Sequence, residues 1–173
     1  RLDGVLLLLA VPRPVRIIAD VDFFKGRLLR WVAKTYNVIH LNPTRGPKGI
    51  IGALKTARGA AESGELVCIF PEGELTKTGQ LHEFQRGMMR IIDGTDVPVI
   101  PVFLGGMWGS IFSYAGGKLF KKWPTTWPYP VTISFGPPLT SPKNAYEIRQ
   151  AVQNLGVETV EDQQARQLVP PRR

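Results

Sequence analysis

Apolar residues fall in short runs along this chain, and the spacing within the runs changes from one to the next. Asp3 suits a helix cap, and an apolar stretch follows it to Ala10, where Pro12 and Pro14 end the element. Residues 15–19 read as a short buried strand. Over 23–36, Phe24, Leu28, Leu29, Trp31, Val32 and Ala33 recur at helical spacing. Residues 37–41 give a second strand. Residues 48–61 give a second helix with Ile50, Ile51, Leu54 and Ala57 on one side, stopped by Ser63-Gly64. The continuous apolar run at 66–70 is of the kind found in buried parallel strands. Further on, the pattern predicts a helix over 84–92 and a strand over 97–104, with Pro98 and Pro101 at its margins or at bulges. An alternating strand over 131–135 and two terminal helices, 144–154 and 158–167, complete the series. Strands alternating with helices predict an α/β fold, a mostly parallel central sheet flanked by helices. Ligands in such sheets bind at the carboxyl ends of the strands, so the loop after Phe70 is the first place to look.

Composition narrows the class. The 173 residues fit one domain, and 43% hydrophobic with 21% charged residues excludes wholesale disorder. The longest apolar run, residues 5–11, falls well short of the roughly 20 that a membrane-spanning helix needs. A single cysteine, Cys68, excludes an internal disulfide framework and a multi-cysteine metal site. The net charge of +8 and pI near 9.9 favour an acidic partner: nucleic acid, an anionic membrane or an acidic carrier protein. With no initiator Met, the expectation is a single domain over 1–168, truncated at its amino end, with 169–173 as a linker or tail.

Common nucleotide signatures are missing: there is no Gly-x-Gly-x-x-Gly and no phosphate loop ending in Gly-Lys-Ser/Thr. His40 and His82 lack metal-ligand spacing, so no metal is expected, and Cys68 in an apolar strand reads as inert core. The informative stretch is Phe70-Pro71-Glu72-Gly73. Pro71 stiffens the strand exit, Glu72 places a carboxylate there, and Gly73 lets backbone approach a ligand. Thr76, Lys77, Thr78, Gly79 and Gln80 follow, then Arg86 and Gly87, a set of hydroxyls, amides and cations suited to a phosphate. An ordinary turn with a solvated Glu would read the same way from the tetrapeptide alone.

Four blocks in order resemble the glycerolipid acyltransferase family, whose founding members make phosphatidic acid from lysophosphatidic acid. Phe70-Pro71-Glu72-Gly73 resembles its third block, and Val97-Pro98-Val99-Ile100-Pro101-Val102 its fourth. Residues 38–45 stand where the second belongs, and Asp3-Gly4 with its apolar run looks like the end of the first, Asn-His-x-x-x-x-Asp. The resemblance runs from Asp3 to about Pro138. It implies that Asp3 orients a general-base His, which the spacing puts ahead of Arg1, so the chain alone would be inactive. It also implies that Glu72, Gly73 and Thr76 help bind the acceptor and that Pro101 shapes the pocket. Pro43 stands where the family has a phosphate-binding Arg, so Arg45 and Arg86 are the candidate cations. Leu41-Asn42-Pro43-Thr44 and the Thr76-x-Thr78-Gly79 run look most like the acyltransferase domain of bifunctional bacterial 2-acylglycerophosphoethanolamine acyltransferases, which is fused to an acyl–carrier-protein synthetase.

The function so implied is transfer of an acyl chain from acyl carrier protein or acyl-CoA to a lysophospholipid hydroxyl, with no cofactor, at the cytoplasmic face of the inner membrane. The alternative is a non-catalytic membrane-associated module that binds lipid or, less favoured, nucleic acid. Residues 107–130 interleave Trp108, Phe112, Tyr114, Phe120, Trp123 and Trp127 with Lys118, Lys121 and Lys122. Lys118, Lys121, Lys122, Trp123 and Trp127 are the expected contact with an anionic membrane. A surface loop with partly buried aromatics is the other reading of that segment.

Overall fold

A computed structural model describes residues 3–20, 37–42, 46–73, 80–106 and 131–168. The expected helix over 23–36 and the tail 169–173 lie outside these residues.

Helix α1 (Asp3–Ala10) leads into strand β1 (Val15–Asp20). Strand β2 (Ile39–Leu41), helix α2 (Pro47–Glu62) and strand β3 (Leu66–Cys68) follow. The three strands are parallel in the order β2-β1-β3, with Ile18 opposite Ile39 and Ile17 opposite Cys68. Helix α2 is the crossover that carries the chain over β1 to its far side. Its buried face is mostly alanine (Ala53, Ala57, Ala60 and Ala61, with Leu54), so the helix sits close to the sheet, against Ile18 and Ile39. It begins at Pro47, a residue with no N–H to leave unpaired, and ends at Ser63-Gly64 as expected, where Gly64 takes a φ of 86°.

The second half is built differently. A 3₁₀ turn (Arg86–Met88) passes into a single-turn helix α3 (Met89–Ile92). Strands β4 (Val102–Gly105) and β5 (Thr132–Phe135) form a two-stranded antiparallel ribbon of their own. The long helix α4 (Ala145–Leu168) packs across both. Asn144 Oδ1 accepts the Glu147 N–H at 2.9 Å, and Glu147 Oε2 accepts the Lys143 N–H at 2.7 Å, which closes the amino end of α4. Ile69 and Ile92 pack against the cores of both halves and make them continuous.

The parallel α/β sheet flanked by helices is thus present, and three expectations are corrected in detail. The helix expected over 84–92 shrinks to a 3₁₀ turn and one α-turn, because residues 81–85 run without regular structure. The strand expected over 97–104 is reduced to β4 and an isolated antiparallel bridge between Val99 and Leu139. Pro98 and Pro101 have no N–H to give a ladder. The two terminal helices are one, running unbroken through Gly156.

Candidate active site

The chain leaves β3 through a tight turn. The Gly73 N–H donates to the Phe70 carbonyl at 3.2 Å, with Pro71 at the position where its fixed φ is favourable. Gly73 takes a φ of 73°, which a side chain would strain. A Cβ there would meet only Gln85 Cγ at 3.5 Å, an ordinary contact, so the backbone and not crowding demands glycine. The turn is held from outside: the Gln85 N–H donates to the Pro71 carbonyl at 2.7 Å. Glu72 is half-buried, and its Oε2 accepts the His82 N–H at 2.8 Å. One oxygen of the Glu72 carboxylate is thus tied to the backbone ten residues further on.

Helix α1 meets this turn. A Cβ on Gly4 would lie 3.2 Å from Ile17 Cδ1 and 3.8 Å from the Phe70 ring, so glycine lets the amino end of α1 settle against β1 and the start of the turn. Asp3 is the first residue of that helix and the immediate neighbour of Gly4. The Asp-Gly pair and Phe70-Pro71-Glu72-Gly73, some 70 residues apart in sequence, are thus brought to one place.

Arg86 opens the 3₁₀ turn next to Gln85 and is exposed, on the segment that the Gln85–Pro71 hydrogen bond ties to the Glu72 loop. Pro101 belongs to a different constellation. It lines a cavity of about 210 Å³ together with Gly136, Pro137, Leu139, Leu155 and Glu158, between the ribbon and α4. Its carbonyl accepts the Gly136 N–H at 2.9 Å. Arg45, Thr76, Lys118, Lys121, Lys122, Trp123 and Trp127 lie outside the described residues.

Two participants were missed in the sequence. The partner of Glu72 is the backbone N–H of His82, which no side-chain pattern announces. Arg149, on α4, donates from Nε to the His82 carbonyl and from Nη2 to the Leu81 carbonyl, each at 3.0 Å. Cys68, one strand residue upstream of the loop, is no competing nucleophile: burial pushes its thiol from the ordinary 9.0 up to about 12. Among the described residues no cluster of three His, Cys, Asp or Glu is placed to hold a metal ion.

The Glu72 carboxylate thus stands in the turn after a parallel strand, and the Phe70 ring that opens this turn lies beside Gly4 at the start of α1. Residues 1–105 match the model of the Acyltransferase family, and the chain belongs to that family. It is 29% identical over 99 residues to a chloroplastic 1-acyl-sn-glycerol-3-phosphate acyltransferase from Brassica napus, covering 57% of this chain and 28% of that protein. Identity to the chloroplastic enzyme of the same description from Arabidopsis thaliana is 27%, with the same coverage. The chain thus spans under a third of the length of these curated relatives. The fold is similar to the crystal structure of the 1-acyl-sn-glycerophosphate acyltransferase PlsC from Thermotoga maritima: TM-score 0.59, 22% identity, 93% of this chain and 61% of that one. Among the described residues no helix is long and apolar enough to cross a membrane.

Proposed function

We propose that the protein carrying this chain transfers an acyl group from an acyl thioester, on acyl carrier protein or CoA, to the free hydroxyl of a lysophospholipid. The observation that supports it most directly is the Glu72 loop, held by His82 and Gln85 and abutted by the amino end of α1. In this reading residues 1–168 form one acyltransferase domain. A histidine ahead of Asp3 takes the hydroxyl proton, and Asp3 fixes the orientation of its ring. The alkoxide attacks the thioester carbonyl, the tetrahedral intermediate collapses, and the thiolate leaves. Glu72 and Gly73, with Thr76, hold the glycerol backbone of the acceptor, and Arg45 and Arg86 balance its phosphate charge. The lipid is reached from the membrane surface by the aromatic and lysine segment around 118–127.

The test is Glu72→Gln in the full-length protein, assayed with lysophosphatidate and lysophosphatidylethanolamine against both thioester donors. Gln keeps an acceptor for the His82 N–H and removes the charge. Acyl transfer should fall by at least tenfold while the melting temperature stays within about 2 °C, the shift that roughly half a kcal/mol or less gives in a chain of this size. Undiminished turnover would remove Glu72 from the site.

A further inference from the structure

Helix α4 lies outside the region that defines the family, residues 1–105, yet it reaches into the site. Its Arg149 spreads a guanidinium fork over two successive carbonyls, Leu81 and His82, 68 and 67 residues away in sequence. The other face of this short segment carries the His82 N–H that Glu72 accepts. Residues 81–85 have no helix or strand of their own to hold them. A peptide segment without regular structure keeps one geometry only where outside partners fix it, and charge-assisted hydrogen bonds are the strong ones.

We infer that Arg149 is a positioning residue: it fixes the 81–82 backbone and, through the His82 N–H, the orientation of the Glu72 carboxylate. The order of contacts is Arg149 to the His82 carbonyl, His82 N–H to Glu72 Oε2, and Gln85 N–H to the Pro71 carbonyl on the same turn. A lysine at 149 presents a point charge and cannot bond both carbonyls in the fork geometry of arginine. The inference rests on the proposed role of Glu72 in acceptor binding.

The experiment compares Arg149→Met, Arg149→Lys and Glu72→Gln, singly and combined, in the full-length protein. Arg149→Met should raise KM for lysophosphatidate by about tenfold or more and leave KM for the thioester donor unchanged, as loss of site geometry does. Arg149→Lys should fall between it and the parent. In the Glu72→Gln background, Arg149→Met should cost little further, because both changes act on one carboxylate. A purely structural role would instead lower kcat through a smaller folded fraction, leave both KM values alone and combine additively with Glu72→Gln. Hydrogen exchange gives a readout without turnover: the amides of residues 82–85 should exchange faster in Arg149→Met than in the parent. If exchange is unchanged, or if the acceptor KM is unchanged while Glu72→Gln impairs the enzyme, the positioning role is wrong and the proposed function stands. If Glu72→Gln itself is fully active, Glu72 leaves the site and the positioning role of Arg149 falls with it, while the acyl transfer itself stands.

Discussion

Replacing Gly156 by alanine sets two effects of similar size against each other, and the structure decides the sign. Gly156 is buried inside α4, where alanine normally stabilises a helix by about 0.5–1 kcal/mol. Here the new Cβ would stand 2.8 Å from Phe103 Cε2, 3.0 Å from Cδ2 and 3.2 Å from Cζ. Carbon atoms pack best at about 3.5–4.0 Å, so either the ring or the helix must retreat by roughly 0.7 Å. The ring is carried by β4, where Phe103 pairs with Ser134 of β5. The helix is tied to the same strand pair: the buried Thr159 hydroxyl lies 2.7 Å from the Ser134 hydroxyl and donates to the Leu155 carbonyl at 2.7 Å. Neither side can move freely, and overpacking of this kind costs about 1–3 kcal/mol.

The net expectation for Gly156→Ala is destabilisation of about 1–2 kcal/mol, a melting temperature lower by about 3–6 °C. Gly52→Ala is the matched control. Gly52 is exposed in the middle of α2 with nothing within 4 Å of a new Cβ, so that change should raise stability by about 0.5–1 kcal/mol. Thermal and urea unfolding of both variants read the two signs side by side. Adding Phe103→Leu to Gly156→Ala should recover part of the loss, since it vacates the contact. If Gly156→Ala is as stable as Gly52→Ala, the ring does not lie against the helix as described.

Cys68 gives a prediction in pH. Its folded thiol titrates at about 12 against the ordinary 9.0, so below about 9 both states are protonated and the site adds no pH dependence. Between about 9 and about 12 the unfolded chain releases the proton and the folded one keeps it, so stability falls as pH rises across that window. Cys68→Ala should flatten this fall in alkaline unfolding curves, and native protein at pH 8 should react with thiol reagents far more slowly than denatured protein. For membrane attachment, charge reversal at Lys118, Lys121 and Lys122 should weaken sedimentation with anionic vesicles chiefly at low salt, each lysine carrying about 1 kcal/mol near the surface. Replacing Trp123 and Trp127 should weaken it at every salt concentration, because apolar burial is not screened. If neither variant binds less, the segment is not the membrane contact.

What could be read in advance divides along physical lines. α2 and β1 were legible because a full helical face or a continuous apolar run carries its period within a few residues, and Pro47 and Ser63-Gly64 mark the helix ends chemically. The segment 84–92 carries helical spacing too, but its first residues are taken up in bracing the Glu72 turn, and tertiary contacts outweigh local preference. The break expected between 154 and 158 is absent for a related reason: Gly156, locally poor in a helix, lets α4 lie against the Phe103 ring, so packing outweighs propensity. The site divides in the same way. Glu72 and Gly73 announce themselves by type and by their place after a buried strand. The group that fixes Glu72 is a peptide N–H, identical at every residue but proline, and the side chain that fixes that peptide lies 67 residues further on. A sequence motif records residue types at a fixed spacing. The supports behind them are chosen by the fold, and Arg149, on a helix beyond residues 1–105, becomes visible only when the carbonyls it bonds are in place.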